Sequence, residues 1–144
     1  MTYVRDILNG KSKEVHSISP DATVYDALKE MSDREIGALI VMKGEKVVGI
    51  ISERDYARKI ILKGKSSKET MVKEVMSSTL INVKPEISVE ECMILMTGKH
   101  VRHLPVFDKG KFVGIVSIGD VVKSIISKQE MLIEQLSNYI SGKY

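Results

Sequence analysis

Apolar positions recur along the chain with two periods, about two residues in some segments and about three to four in others. Segments of the two kinds follow one another in a fixed order. Strands are predicted at Val15–Ile18, Ala38–Met42 and Lys46–Ile51, and again at Leu80–Val83, Leu104–Phe107 and Lys111–Val116. Helical spacing separates the first two strands of each set, with apolar faces formed by Val24, Ala27, Leu28 and Met31 and by Val89, Cys92, Met93 and Met96. A further helix follows each set, beginning at Ser52 and at Ser117. The pattern therefore predicts the order β-α-β-β-α twice.

The two sets are copies of one sequence. Sliding the chain against itself by 65 positions aligns Pro20–Asp55 with Pro85–Asp120 without a gap, and eleven of the 36 aligned pairs are identical. About two identities are expected between unrelated sequences. The segment before each copy also recurs, as VRDIL at Val4–Leu8 and VKEVM at Val72–Met76. Two copies are too few for a solenoid. We therefore expect an α+β (mixed α/β) fold whose two repeats are related by pseudo-two-fold symmetry.

The repeats set the expected domain boundaries. Residues 1–70 form the first repeat with its lead-in helix and linker, residues 71–127 form the second repeat, and residues 128–144 form a helical extension. The polar stretch KGKSSKE at Lys63–Glu69 joins the repeats.

The last predicted helix, Ile118–Ile140, rises about 35 Å, which is longer than a small domain can cover. An apolar stripe at three-to-four spacing runs along it, formed by Val122, Ile125, Ile126, Leu132, Ile133, Leu136 and Ile140, with Gln129 among them. The helix either folds back over its own copy or contacts a second protomer. A homodimer is favoured, because symmetric dimers are the commonest assembly. A membrane-surface helix is not favoured, since Glu130 and Glu134 share its polar face.

Composition argues against several classes of protein. Hydrophobic residues make up 43 % of the chain and charged residues 28 %, which is close to the globular average and argues against disorder. No apolar run is long enough to span a bilayer, and MTYVRDILNG lacks the apolar core of a secretory signal. A lone cysteine, Cys92, allows no intramolecular disulfide and fits a reducing compartment, so a cytoplasmic protein is expected.

Candidate chemistry lies where the third strand of each copy ends, in VGIISERD at Val48–Asp55 and VGIVSIGD at Val113–Asp120. A serine and an aspartate three residues later start a helix in each motif, which a capping pair explains without any ligand. The second interpretation is a nucleotide site. Helix N-termini bind phosphate, a carboxylate can accept both ribose hydroxyls, and the preceding glycine leaves room for something to approach the backbone. The doubled arrangement favours the nucleotide site.

These motifs, together with VRHLPVFD at Val101–Asp108, resemble a pair of cystathionine-β-synthase (CBS) domains, also called a Bateman module, over about Val4–Ile126. Within that family the chain is most similar to short stand-alone bacterial and organellar proteins. The resemblance implies a regulatory fold that binds an adenine nucleotide such as AMP, ADP, ATP, NAD(H) or S-adenosylmethionine in the cleft between its two copies, and that usually dimerises. It implies no catalysis, and therefore an unidentified regulated protein whose activity a ligand-driven rearrangement modulates.

The resemblance also implies the site residues. Asp55 and Asp120 would hold ribose, and Ser52 and Ser117 would lie near phosphate. In the family, adenine is gripped by backbone from the other copy's first strand, which points to His16, Ser17 and Ile18 for the Asp120 site and to Leu80, Ile81 and Asn82 for the Asp55 site. The remaining candidates follow Ser52 or lie on the second strand of each copy: Arg54, Gly37, Ala38, Arg102, His103 and Pro105. Arg102 suits phosphate or stacking on a base, and Arg54 would close on phosphate.

Other hypotheses have less support. A nucleotide-using enzyme would need a GxGxxG motif, a P-loop or a paired base and nucleophile, and none is present. Nucleic-acid binding is not expected, because the lysines near the linker (Lys63, Lys65, Lys68 and Lys73) have little aromatic interleaving. A metal site formed by His100, His103 and Cys92 lacks compact ligand pairs, and Cys92 on an apolar helix face is a poor nucleophile. We therefore expect neither a metal nor a catalytic cofactor.

Overall fold

The structure, a computed structural model, describes residues 2–11 and 16–142. Contacts divide the chain into two compact units. The continuous unit is Glu14–Ile81, and the split unit is formed by Met1–Lys13 together with Asn82–Tyr144. The elements in chain order are α1 (Val4–Asn9), β1 (Ser17–Ile18), α2 (Val24–Arg34), β2 (Ala38–Lys43), β3 (Lys46–Ser52), α3 (Glu53–Asp55), α4 (Val72–Val75), α5 (Val89–Lys99), β4 (His103–Asp108), β5 (Lys111–Ser117) and α6 (Ile118–Ser141).

Each unit contains an antiparallel hairpin with the same register. Ala38 pairs with Ser52 in the β2–β3 hairpin, and the equivalent His103 pairs with Ser117 in the β4–β5 hairpin. The register shifts at equivalent places, between Val41 and Met42 and between Val106 and Phe107. The predicted mixed α/β fold is confirmed, because the sequence repeat corresponds to a repeat of backbone geometry.

The first strand differs between the copies. In the continuous unit β1 pairs in parallel with β2; Val15, which was predicted to begin this strand, lies outside the described residues. The equivalent strand predicted at Leu80–Val83 is wrong, since only Val83 pairs, in a single parallel bridge with Val106. Pro105 stands where β2 has Ile40, and a proline has no N–H to donate to a neighbouring strand.

The predicted apolar helix faces are buried. Val24, Ala27 and Met31 of α2 and Val89, Cys92 and Met96 of α5 are at most 2 % exposed. Thr23 and Ser88 cap these helices, each accepting from the N–H three residues later at 3.1 Å. The first N–H of each helix donates to a lead-in carbonyl, Val24 to Thr70 at 2.8 Å and Val89 to Thr2 at 3.1 Å.

The last helix of each copy differs in form. α3 passes into a π-helical turn, Tyr56–Ile60, and a 3-10 turn, Ile61–Lys63, which end at Gly64 with φ 68°. α6 is a single α-helix of 24 residues, as the apolar stripe predicted.

The two lead-in helices are exchanged between the copies. By sequence α1 precedes the first copy, and the expected boundaries grouped it there, but it belongs to the split unit with the second copy. The hydrogen bonds repeat as matched pairs: Val4 N–H donates to the Ile87 carbonyl and Val72 N–H to the Ala22 carbonyl, at 2.9 and 2.8 Å. The lead-in helix α4 is therefore to the continuous unit what α1 is to the split unit.

Candidate functional site

A lead-in side chain occupies the space beside the glycine of each motif. A Cβ built on Gly49 would lie 2.7 Å from the Met76 sulfur and 2.8 Å from the Ser77 carbonyl oxygen. A Cβ on the equivalent Gly114 would lie 2.9 Å from Cδ2 of Leu8. The sequence correctly indicated a close approach to the backbone at these glycines. The approaching group is a lead-in segment, so the glycines give no independent sign of a ligand.

The split unit holds Ser117 and Asp120 at the first turn of α6. Ser117 N–H donates to Asp120 Oδ2 at 2.9 Å, and Asp120 N–H donates to Ser117 Oγ at 3.1 Å, which is a reciprocal capping box. The pair forms because β5 ends at Ser117 in extended conformation and the helix begins at the next residue. The helix-start interpretation of this motif is therefore confirmed, and the aspartate retains a second oxygen beyond the capping bond.

Lys11, from the segment after α1, reaches the same carboxylate. Its Nζ lies 2.8 Å from Asp120 Oδ2 and 3.1 Å from the Ile115 carbonyl oxygen. Burial by itself raises the pKa of Asp120, but the hydrogen bonds from Lys11 and from the Ser117 backbone outweigh it and hold the pKa below its usual value. The carboxylate is therefore ionised at neutral pH and already has a cationic partner.

His103 begins β4 and pairs with Ser117, the residue that caps the helix carrying Asp120. Arg102 precedes the strand instead of lying on it, and its carbonyl accepts from Ile118 N–H at 2.8 Å. Burial lowers the pKa of His103, the positive charges of Lys11 and Arg102 lower it further, and Asp120 opposes them. Lys11 thus contacts the Asp120 carboxylate, His103 lies within electrostatic reach of both, and Arg102 lies near His103.

The continuous unit repeats the arrangement with Ser52 and Asp55. Ser52 N–H donates to Asp55 Oδ2 at 2.9 Å, and Asp55 N–H donates to Ser52 Oγ at 3.3 Å. Lys59 Nζ lies 3.2 Å from Asp55 Oδ1 and donates to the Val75 carbonyl at 2.8 Å. A lysine therefore links the aspartate to a backbone carbonyl in both units. The side chain of Asp55 is 17 % exposed and that of Asp120 is 24 % exposed, so each acid sits in a partly covered position.

The structure places the other predicted residues as follows. Gly37 and Ala38 adjoin the Ser52 motif: the Gly37 carbonyl accepts from Glu53 N–H at 3.1 Å, and Ala38 is buried. Arg54 is partly buried on α3. Pro105 is buried in β4, where its carbonyl accepts from Val83 N–H at 3.0 Å.

The residues predicted to grip adenine are divided between the units. His16, Ser17 and Ile18 belong to the continuous unit, as do Leu80 and Ile81, whereas Asn82 begins the second part of the split unit. Ser17 and Asn82 are exposed and the other four are partly exposed. Their assignment to adenine stays a prediction.

Sequence reasoning missed the two lysines. Lys59 follows Asp55 by four residues, a spacing at which opposite charges on a helix meet, so this pair had a readable signal. Lys11 lies 109 positions from Asp120, and only the exchange of lead-in segments brings the two together.

Two further observations concern other kinds of site. Among residues 2–11 and 16–142, no group of three or more histidine, cysteine, aspartate or glutamate side chains is placed to hold a metal ion. Within the same residues, no helix combines the length and the apolar character that crossing a membrane requires.

Comparison with known proteins fits this doubled geometry. The CBS domain family matches residues 4–62 and 72–127. The chain belongs to the CBS domain family. CBS domain-containing protein CBSX3, mitochondrial, from Arabidopsis thaliana is 42 % identical, covering 99 % of this chain and 74 % of its own.

Two solved structures extend the comparison. A putative signal-transduction protein with CBS domains from Burkholderia ambifaria MC40-6 is 46 % identical with a TM-score of 0.86, and the match covers 89 % of this chain and 96 % of the other. A hexameric CBS-CP12 protein from bloom-forming cyanobacteria is 30 % identical with a TM-score of 0.75, covering 85 % of this chain and 71 % of the other. The chain is thus a tandem CBS pair, a generally regulatory and ligand-binding module.

Proposed function

We propose that this CBS pair is a regulatory module that binds an adenine nucleotide and changes the activity of a partner protein in response. The observation that carries the proposal is the duplicated serine–aspartate helix start, in which a partly covered carboxylate faces a lysine in each unit. Capping alone requires one carboxylate oxygen and no lysine. Proteins of this family commonly bind adenine nucleotides, and the ligand here is AMP, ADP, ATP, NAD(H) or a related adenosine compound.

The split unit is the stronger candidate for a charged ligand. Asp120 accepts the ribose hydroxyls, and Ser117 with the first N–H groups of α6 lies at the positive end of a 24-residue helix, which attracts phosphate. Arg102 and His103 add cationic or polar groups at the start of β4. The continuous unit offers Arg54 after Ser52, but its α3 is only three residues long, so its helix-end contribution is weaker.

A ribose that uses both oxygens of Asp120 competes with Lys11 for Oδ2. Lys11 shares Asp120 Oδ2 with the capping N–H of Ser117, and a ribose hydroxyl would compete for the remaining positions on the carboxylate. A displaced ammonium group stays within reach of the phosphates of the same ligand. Lys11 therefore opposes adenosine and favours phosphorylated nucleosides, and its side chain moves when a ligand binds.

The output acts on another protein. The module has no proposed catalytic residues, and it works as a cytoplasmic homodimer whose rearrangement biases a regulated partner. A ligand achieves this only through different affinities for two states of the module.

The test is a thermal-shift and calorimetric screen with AMP, ADP, ATP, NAD, NADH and S-adenosylmethionine. A ligand at a hundred times its dissociation constant stabilises the folded protein by about 2.7 kcal/mol, which raises the melting temperature by several degrees for a chain of this size, roughly 2–8 °C per kcal/mol. Chromatography of the incubated nucleotide checks that it is returned unchanged. No heat and no shift with every compound would defeat the proposal, and turnover would replace it with an enzyme.

Two variants separate ligand binding from capping. Asp120→Asn keeps one carbonyl oxygen for the Ser117 N–H but loses the charge, so we expect a weaker ligand shift with little change in the stability of the free protein. Asp6→Asn is the matched control, because Asp6 accepts from Tyr3 N–H at the same 2.9 Å at the start of α1. Equal loss of ligand shift in both variants would show that only capping was disturbed.

A further inference from the structure

The second half of α6 leaves its apolar side chains exposed within the part of the chain that the structure describes. Val121 is fully buried, and Lys128 donates to Glu90 Oε1 on α5 at 3.0 Å. From Gln129 to Ser141 the residues are exposed, with Asn138 alone partly covered. This stretch rises about 20 Å, and isolated helices of about 12–15 residues are only marginally stable in water. A contact that covers these exposed apolar side chains would stabilise the helix here.

The exposed face has the spacing of a coiled coil. Six residues follow one another at alternating intervals of four and three, and five of them are apolar. Isoleucine occupies every a position, and valine, glutamine and leucine occupy the d positions. In chain order they are Val122, Ile126, Gln129, Ile133, Leu136 and Ile140. The five apolar members are between 39 % and 84 % exposed. β-Branched residues at a with leucine at d favour a parallel two-stranded coiled coil, and here every a position is isoleucine while Leu136 is the leucine at d. The face that packs on the unit, at Val121 and Lys128, is a different one.

Gln129 selects the partner and its direction. In a parallel pair of identical helices in register, Gln129 faces Gln129 of the second helix, and the two amides can donate to and accept from each other. In the antiparallel pair that would align the whole stripe, Gln129 faces Ile133 and loses its partner on burial. A helix from another protein would need a glutamine at the same level, which a second copy of this chain supplies without further assumption.

The apolar side chains supply part of a dimer interface. At roughly 60–120 Å² of apolar surface for each fully exposed aliphatic side chain, the stripe and its flank at Leu132 offer about 200–400 Å² at their fractional exposures. A standard interface needs about 800 Å² from each partner. Polar side chains along one side of the stripe, Glu130 and Ser137, add to this surface.

We propose that α6 pairs with α6 of a second copy as a parallel coiled coil along Val122–Ile140. The proposal rests on the assembly into homodimers proposed above and names its surface; it does not depend on nucleotide binding. The two paired α6 helices then join the two CBS pairs of the dimer. Any rearrangement at the first turn of α6, where Asp120 lies, is therefore transmitted directly to the dimer contact.

The test measures the mass of the full chain by analytical ultracentrifugation over a concentration series. Ile133→Glu places a charge in the apolar contact between the two α6 helices and should raise the dimer dissociation constant at least about 100-fold. Met131→Glu is the matched control, because Met131 is 61 % exposed against 63 % for Ile133 and lies on the opposite side of the helix. Met131→Glu should leave the mass unchanged. A monomeric wild type, or equal effects of the two substitutions, would overturn the proposal.

Direction is tested by cross-linking. Leu136→Cys should form a disulfide-linked dimer on oxidation if the helices are parallel, and the native Cys92 does not interfere because it is buried. In the antiparallel pair the two residues at 136 lie ten positions apart, about 15 Å along the axis, which is too far for a disulfide. Absence of the cross-link in a protein that is still dimeric would overturn the parallel arrangement.

Two measurements on the same variants separate this proposal from others. Sedimentation with phosphatidylcholine–phosphatidylglycerol vesicles tests whether a membrane surface covers this face. If the wild type is monomeric and binds the vesicles, and Ile133→Glu does not bind them, the partner is a lipid surface and not a second copy. The adenine-nucleotide thermal shift should survive in Ile133→Glu. If the wild type also shows no thermal shift, the proposed nucleotide binding is wrong. The proposed coiled coil is then still tested by the mass measurements alone.

Discussion

Nζ of Lys11 lies 2.8 Å from Oδ2 of Asp120, although 109 positions separate the two residues in the chain. The contact joins the first described segment of the chain to the first turn of α6. Lys59 and Asp55 repeat it in the continuous unit, at 3.2 Å and with only four positions between them. The same ionic arrangement is therefore reached by a distant contact in one unit and by a local one in the other.

Removing the distant lysine tests its competition with ribose. In Lys11→Met, Asp120 loses its cationic partner, so we expect adenosine to bind more tightly, by about two- to fivefold, since a partly exposed ion pair contributes up to about 1 kcal/mol. ATP should gain nothing, because its phosphates lose the ammonium group. Calorimetry with both ligands gives the ratio of affinities. Lys73→Met, which removes a partner of the exposed Asp21, is the control. An unchanged ratio of the two affinities in Lys11→Met would contradict a competition between Lys11 and ribose for Asp120.

The two motif glycines should differ in their tolerance of alanine. Gly49→Ala meets the Ser77 backbone carbonyl at 2.8 Å, which cannot move without breaking the pairing of Ile50 with Ser77. We expect a loss of about 1–3 kcal/mol in the free energy of unfolding. Gly114→Ala meets only the end of the flexible Leu8 side chain, and should cost at most about 1 kcal/mol.

Denaturant unfolding measures both variants against Gly98→Ala. Gly98 lies inside α5 with nothing within 4 Å of an added Cβ, so alanine there should stabilise the protein by about 0.5–1 kcal/mol. Equal losses for Gly49→Ala and Gly114→Ala would show that the lead-in segments are packed less tightly than described.

His103 makes stability depend on pH. Its pKa in the folded protein lies below the ordinary value of about 6.5 because of burial and of Lys11, so the unfolded chain takes up a proton first as the pH falls. The free energy of unfolding should therefore decrease below about pH 6.5, by at most about 1.4 kcal/mol per pH unit from this group. His103→Gln should flatten the curve between pH 7 and pH 5. The same slope in both proteins would assign the dependence to other groups.

Cys92 should be inert in the native protein. It is fully buried in α5, and burial raises the pKa of its thiol to about 11, so only about 0.1 % is thiolate at pH 8. Reaction with a disulfide reagent should be at least about 100-fold slower in buffer than in denaturant. Comparable rates in the two solutions would place the thiol at an accessible surface.

Local patterns predicted most of the backbone. The repeat, the helix faces and both hairpins follow from the period of the apolar residues, since burial and hydrogen bonding in these elements depend on near neighbours. The strand at Leu80–Val83 failed because one proline, Pro105, on the neighbouring strand removes a donor, and apolar periodicity does not register a missing N–H.

The candidate site was predictable only in part. Ser52, Asp55, Ser117 and Asp120 were found from their spacing, and the structure brings each pair together as predicted. The residues that fill the neighbouring space were not predicted. Leu8 and Met76 lie beside the glycines because the lead-in helices are exchanged between the units. Sequence similarity between the copies does not show which unit each lead-in helix joins.

The exchange also orders events during synthesis. α1 leaves the ribosome before the other described elements, yet the carbonyls that accept from the N–H groups of Val4 and Arg5 belong to Ile87 and Pro85, and Leu8 packs beside Gly114. α1 must therefore wait for residues up to Gly114 before it can dock, whereas Glu14–Ile81 can close on itself earlier. A chain cut at the boundary between the repeats would leave each fragment holding the helix that the other one needs.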